Sequence, residues 1–334
     1  MVKMPDPGPP VQPTPSPVTR FAPSPTGYLH LGHVANAVWT WGMARAEGGT
    51  VLLRVEDHDR GRCRPEYEAR ILEDLAWLGL EPEGRSAASL RAPPSPFRQS
   101  DSTAAYEAAL TRLTTRGLVY GCDCSRSTIA RQLGDGAVEG QELRYPGTCR
   151  ARRLPAGPGV GLRVRLADGQ EQFDDLRLGT QRQRPAEQCG DLLVRDKAGY
   201  WTYQFAVTVD DLRQGVTVVV RGEDLLSSTG RQIALARLLG RTASPRFLHH
   251  PLILDEAGVK LSKKDQAMGV RELREAGKTA AEVLGLAAWR TGLTESADRL
   301  TTERLGELVG KAVSRKQSTV SREQGAGSSQ PGRL

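Results

Sequence analysis

No stretch of this 334-residue chain approaches the roughly 18 consecutive apolar residues that a membrane helix needs, so none is expected. No charged segment followed by an apolar run opens it, which argues against a secretory leader and for a cytoplasmic protein. Cysteine is scarce and odd in number: Cys63, Cys122, Cys124, Cys149 and Cys189. Thiols so few, without a secretion signal, do not make a disulfide framework, and a metal site is the better expectation. Histidine is equally scarce, at His30, His33, His58, His249 and His250, with none between residues 120 and 190. No internal repeat and no nucleophile–base pair stands out.

What the chain has is arginine-rich charge. Lys and Arg number 46 against 39 Asp and Glu, a formal charge of +7, which suits a polyanionic partner such as nucleic acid. With 38% hydrophobic and 25% charged residues the composition is that of a globular protein, long enough for two domains.

Residues 1–17 carry seven prolines and read as a solvated, extended tail. Order begins with a short strand at Val18–Ala22, which Pro23 and Pro25 end. Leu31 to Ala46 reads as a buried helix stopped by Gly48-Gly49, and Thr50–Val55 as a strand covered on both faces. A helix from Pro65 to Leu78 follows. This alternation predicts an α/β fold with a doubly wound parallel sheet. From Tyr120 to Gly190 the pattern changes, with frequent Gly, Pro, Arg and Cys and short strands such as Val160–Leu166. The expected organisation is a first catalytic half over 18–119, a metal-binding insertion over 120–190 and a second half over 191–265. That second half includes Tyr200–Val209, Val216–Val220, a helix from Leu226 to Leu239, and Phe247–Leu254. A helical region over 266–313 and a disordered, polar tail over 314–334 complete it.

Three constellations carry chemistry. The run from Pro23 to His33 joins the first strand to the first helix, where ligands of a doubly wound sheet sit and where helix N–H groups favour phosphate. His30 and His33 share one face of the first turn, and Gly32 leaves room for a base or ribose. Two imidazoles reaching a phosphate is the chemistry this pattern offers. The second is Lys260-Leu261-Ser262-Lys263-Lys264, a Lys-rich loop able to bring ammonium charge to a triphosphate. The third is Cys122-Asp123-Cys124 with Cys149. Three thiolates with a CxC pair point to zinc, whose closed structural sites take four ligands. Without a nearby histidine the fourth is an oxygen or Cys189.

The first two motifs, His-Leu-Gly-His and Lys-Leu-Ser-Lys-Lys, resemble the two signatures of class I aminoacyl-tRNA synthetases. Arg20–Gly27, Arg54–Asp57, Trp201–Val207 followed by Asp210-Asp211, and Val220–Asp224 resemble the glutamyl group more narrowly, over about residues 18–265. The resemblance implies the class I Rossmann-like fold with a short C-terminal helical region. It also implies ATP, its Mg²⁺ and L-glutamate as ligands, with a monomer expected. His30, His33 and Lys263 are then expected to be catalytic, and His30, Gly32, His33, Lys260 and Lys263 to hold ATP. Two guanidiniums and one carboxylate suit an amino acid with two carboxylates and one ammonium. Arg20 and Arg221 are the candidates for the former and Glu56 for the latter, with Tyr203 a further hydrogen-bonding group. In the family these positions and the Phe21–Ser24 loop (Phe21, Ala22, Pro23, Ser24) bind glutamate. Family members bind structural zinc with three Cys and a Tyr, which implies Tyr145 beside Cys122, Cys124 and Cys149.

Full glutamyl-tRNA synthetases carry a long helical anticodon-binding domain after the lysine loop, and only about 50 ordered residues are expected here. That architecture resembles the glutamyl-queuosine tRNA(Asp) synthetase family, which attaches glutamate to queuosine in the anticodon loop. The tRNA identity rests on that architecture alone. The competing expectations are a minimal enzyme charging the 3′ end of tRNA(Glu) and a silent paralogue that binds glutamate or tRNA. A third is a nucleotidyltransferase acting on a small metabolite. Intact His30, His33 and Lys263 argue against the silent form, and the Cys cluster and glutamate-type motifs against the last.

Overall fold

The computed structural model describes residues 16–58, 61–134, 142–253 and 269–326. The Lys260–Lys264 loop, with Lys260 and Lys263, and nearly all of the tail expected at 1–17 lie outside the described residues.

The chain opens with β1 (Val18–Phe21), α1 (Leu31–Ala46) and β2 (Thr50–Leu53), followed by α2 (Pro65–Trp77), α3 (Gly84–Arg91) and α4 (Thr103–Thr115). β3 (Val119–Cys122), α5 (Arg126–Leu133), β4 (Gly161–Val164), β5 (Glu171–Asp175), β6 (Gly179–Gln183) and α6 (Pro185–Gln188) come next. Then come β7 (Leu192–Arg195), α7 (Tyr203–Arg213), β8 (Val218–Gly222), α8 (Thr229–Leu238) and β9 (Arg246–His250). Three helices finish it: α9 (Val270–Glu275), α10 (Ala280–Arg290) and α11 (Leu305–Ala326).

β1 and β2 pair in parallel, Val18 opposite Thr50 and Phe21 opposite Leu53. β8, β9 and β5 form a second parallel ladder, with β6 antiparallel at its edge. β8 lies beside β1, joined by the Thr217 N–H to the Val18 carbonyl at 2.8 Å. The result is a mixed, mostly parallel α/β sheet. Its central strands are apolar on both faces, as Val218, Val219 and Val220 are, because helices cover them.

α1 runs over this sheet for the full length its sequence predicts. Trp41, Val38 and Val34 enter the core beneath it, and Gly42 lets α11 approach closely. A Cβ there would lie 2.4 Å from Val309 and 2.9 Å from the Leu305 carbonyl. Leu305, Val309 and Val313 of α11 are buried in turn.

Three expectations change. α11 continues through Ala326, past the boundary expected at residue 314. Once the packed turns from Leu305 to Val313 nucleate a helix, the Ser-, Lys-, Arg- and Gln-rich residues that follow extend it at small cost. Residues 203–213, inside the expected Tyr200–Val209 segment and beyond it, are helix α7. The insertion expected over 120–190 divides between two sheets. β3, β4 and β7 form a separate antiparallel sheet, whereas β5 and β6 return to the main one through Asp175 opposite Phe247. Alternating burial along Glu171–Asp175 is the signal of that strand. No described helix is long and apolar enough to cross a membrane.

Candidate active site

The carboxyl ends of β1 and β8, the turn after β2 and the N-termini of α1 and α7 meet at one cleft of about 1250 Å³. Arg20, Glu56, Tyr203 and Arg221 line it, as do His30, Gly32 and His33 and the Phe21–Ser24 turn. The structure thus brings together every described residue expected to bind amino acid or nucleotide. Phe21 differs in kind: its side chain is buried, 5.5 Å between centroids from Trp41.

α1 begins with a cap built from the two imidazoles. His30 is its extended N-cap residue, and His30 Nδ1 accepts the Gly32 N–H at 3.1 Å. His33 Nδ1 accepts the His30 N–H at 3.1 Å, closing a capping box. With Nδ1 an acceptor in both rings, the neutral tautomer carries its proton on Nε2. Each histidine therefore presents an N–H of the kind a phosphate oxygen accepts. Gly32 has a reason beyond ligand room: a Cβ there would sit 3.0 Å from the His30 ring.

Behind the cleft lies a buried ionic network. Arg54, fully buried, donates to Glu56 Oε1 at 2.9 Å, to Asp211 Oδ1 at 2.6 Å and to Gln214 at 3.1 Å. Its Nε is 3.8 Å from Asp210. Arg20 Nε donates to Asp211 Oδ1 at 3.0 Å and Arg20 Nη1 to the Val220 carbonyl at 3.2 Å. Asp210 accepts from Gln99, Tyr106 and Arg213, each within 2.9 Å. Burial pushes the Asp211 carboxyl up, but Arg20 and Arg54 outweigh it and hold it below the usual carboxylate range. Arg54, Asp210 and Asp211 stood in the sequence as motif matches without assigned roles. Their work is to fix Arg20 and Glu56 at the cleft wall.

Arg221 is different. It is 3% exposed, yet its hydrogen-bond partners among the described residues are all neutral. Nε donates to His249 Nε2 at 3.0 Å, Nη1 to Gln232 Oε1 at 2.7 Å and Nη2 to Thr229 Oγ1 at 2.8 Å. Burial lowers its pKa, as expected of a cation taken from water without an adjoining carboxylate. Tyr203, at the start of α7, has its phenol pushed up by burial and by the nearby Glu56. His250 also borders the cleft. Burial lowers it to about 4, so it is neutral there, with Nε2 3.1 Å from Asn36 Nδ2.

The thiol cluster stands apart, at the end of β3. The Cys122, Cys124 and Cys149 sulfurs lie within 4.8 Å of one another and could hold a metal ion. Cys124 Sγ is 3.6 Å from Cys149 Sγ, and the Tyr145 hydroxyl is 3.4 Å from Cys122 Sγ. A tetrahedral zinc with Zn–S near 2.3 Å and Zn–O near 2.0 Å needs edges of roughly 3.5–3.8 Å. Those two separations match such edges, and three thiols with a phenol are donors zinc accepts. Arg163 stacks 3.7 Å from the Tyr145 ring centroid and donates to Cys122 Sγ at 3.3 Å, placing positive charge beside both side chains. Burial pushes the Tyr145 phenol above its usual range, so a metal must displace that proton to gain the oxygen. Cys189 is buried at the end of α6, with Sγ 3.2 Å from the Pro185 carbonyl, and is not in the cluster.

Residues 17–323 match the family described as tRNA synthetases class I (E and Q), catalytic domain. The chain is 43% identical over 282 residues to a glutamyl-Q tRNA(Asp) synthetase of Nitratidesulfovibrio vulgaris, covering 82% of this chain and 86% of that protein. It is 44% identical to a protein of the same description from Burkholderia cenocepacia, covering 80% and 88%. A crystal structure of a glutamate tRNA ligase from Elizabethkingia meningosepticum in complex with its amino acid superposes with a TM-score of 0.72 at 25% identity. It covers 91% of this chain and 69% of that one.

Proposed function

The chain belongs to the class I tRNA synthetases of the E and Q type, and from that premise we propose that it is an ATP-dependent ligase that activates glutamate and passes it to queuosine in the anticodon loop of tRNA(Asp). The observation that carries glutamate is Arg221, a buried guanidinium whose hydrogen-bond partners among the described residues are neutral, in the same cleft as Arg20 and Glu56. Two cations and one anion complement an amino acid with two carboxylates and one ammonium. The relatives described as glutamyl-Q tRNA(Asp) synthetases carry the choice of tRNA.

In the first step the glutamate α-carboxylate attacks the α-phosphorus of ATP. A new P–O bond forms, the bond to the β-phosphate oxygen breaks, and pyrophosphate leaves with that electron pair. Both reactants are anions, so charge neutralisation and alignment do most of the work. His30 and His33 donate their Nε2 protons to phosphate oxygens. Arg20 and Arg221 hold the carboxylates and Glu56 the ammonium, with Tyr203 completing the pocket. Gly32 and the turn over Phe21, Ala22, Pro23 and Ser24 border the bound pair. Lys260 and Lys263 are assigned to the triphosphate from their motif. Mg²⁺ bound with ATP would supply further positive charge to the pyrophosphate. In the second step a queuosine hydroxyl attacks the mixed anhydride and AMP leaves. A structural zinc is assigned to Cys122, Cys124, Cys149 and Tyr145, and the enzyme is read as a cytoplasmic monomer.

The test is incubation with ATP, radiolabelled glutamate and queuosine-containing bulk tRNA, followed by digestion to nucleosides and chromatography. Label on queuosine supports the proposal. Label on the 3′-terminal adenosine would instead establish the second reading, a minimal glutamyl-tRNA synthetase, which the likeness to the glutamate tRNA ligase structure favours.

A further inference from the structure

Three neighbouring strands each contribute one polar side chain to a row that ends in the cleft. Asp175 closes β5, His249 is next to last in β9, and His249 stands opposite Arg221 of β8 in the parallel register. Their exposures are 2%, 0% and 3%. Asp175 Oδ2 accepts the His249 main-chain N–H at 3.0 Å and lies 2.6 Å from His249 Nδ1. Asp175 Oδ1 accepts the main-chain N–H groups of Arg177 at 3.0 Å and Leu178 at 2.8 Å. A carboxylate only accepts, so the ring proton belongs on Nδ1 and Nε2 is left as an acceptor. Arg221 Nε donates to that atom at 3.0 Å, and Thr229 Oγ1 lies 3.3 Å from it.

Arg20 and Arg54 are held by carboxylates, which answer their charge inside the protein. Arg221 is held by an equally directional acceptor that carries no charge, while the Asp175 carboxylate stands on the far side of the ring. We propose that Asp175 and His249 are positioning residues for glutamate binding: Asp175 sets the imidazole tautomer, and the imidazole aims the Arg221 guanidinium without neutralising it. This rests on the reading of Arg221 as the group that takes a substrate carboxylate.

The measurement is glutamate-dependent ATP–pyrophosphate exchange, with KM taken separately for glutamate and for ATP. His249→Leu raises the glutamate KM at least tenfold and leaves the ATP KM within twofold. His249→Gln, whose amide oxygen reaches the place of Nε2, recovers most of that loss. In Asp175→Asn the amide nitrogen must face either the imidazole and the His249 main-chain N–H, or the main-chain N–H groups of Arg177 and Leu178. Facing the imidazole leaves one main-chain N–H without its acceptor rather than two, and turns Nε2 into a donor against Arg221. Asp175→Asn therefore raises the glutamate KM severalfold when His249 is present and has no further effect in the His249→Gln background. A folding defect lowers the active fraction and the rate but leaves KM readable. An unchanged glutamate KM in Arg221→Ala overturns the carboxylate reading itself. A raised KM there with an unchanged one in His249→Leu overturns only the positioning role. Equal losses in His249→Leu and His249→Gln overturn the acceptor role. An equal Asp175→Asn effect in both backgrounds assigns Asp175 to the strand-end turn instead.

Discussion

Replacing Arg54 by methionine tests whether the buried network holds the cleft together. The side chain is wholly buried, and methionine fills most of its volume without charge. The substitution strips three carboxylates unequally. Asp210 keeps Arg213 at 2.8 Å, and Asp211 keeps Arg20 at 3.0 Å. Glu56 keeps no cation among the described residues. Removing one partner of a buried ion pair costs about 3–5 kcal/mol, a large share of the roughly 5–15 kcal/mol that holds a typical protein folded. At about 2–4 °C per kcal/mol for domains of comparable size, the melting temperature should fall by roughly 6–20 °C. Thermal unfolding followed by circular dichroism at pH 7 reads this directly. The glutamate KM of the folded fraction should rise with it, because Arg20 and Glu56 lose their shared anchor. A variant melting within 2 °C of the parent (on the order of the shift from 1 kcal/mol) would show that the network is dispensable and that the cleft wall is held by something else.

Asp211 titrates below the usual carboxylate range in the fold, so its contribution to stability is present above about pH 4 and is lost as pH falls further. Asp211→Asn should be less stable than the parent at pH 7 and should lose less on acidification from pH 5 to pH 3, measured by urea unfolding. Arg221→Ala should raise the glutamate KM about thirtyfold or more, equivalent to about 2 kcal/mol for one member of a buried charged pair, with exchange kinetics as the check. Lys263→Ala should lower pyrophosphate exchange at least about tenfold, roughly 1.4 kcal/mol of barrier. Purified protein should release about one zinc per chain to a chromogenic chelator after thiol modification. Tyr145→Phe, which keeps the ring under Arg163, should release it to weaker chelators, and unchanged retention would remove the phenol from the ligand set.

Much of the catalytic face was legible because its signals are local. The stop at Gly48-Gly49 and the apolar run after it bound α1 and β2, and the residues of the His30 turn sit within one helical turn of each other. What could not be read is what pairs across the fold. Arg54 meets Asp211 from 157 residues away and Arg20 meets the same carboxylate from 191. No periodicity predicts those contacts, so two adjacent aspartates at 210 and 211 carried no visible role. His249 and Asp175 lie 74 residues apart, and their only local signals are an acidic residue closing an alternating strand and paired histidines at a strand end. The segment expected as one insertion divides between two sheets because Glu171–Asp175 follows a Gly- and Arg-rich stretch in sequence while its end pairs with β9, Asp175 opposite Phe247.

In the proposed reaction, the imidazole cap at the start of α1 makes helix initiation and phosphate chemistry share the same two side chains. Alanine at His30 would remove an acceptor that ends the helix and the donor proposed for ATP in one stroke, so lost turnover there would not distinguish a frayed helix from a missing hydrogen-bond donor. Asparagine offers a short-range oxygen near the position of Nδ1 and nothing at Nε2. At that one position, the difference between the two replacements separates the scaffold's share from the reaction's.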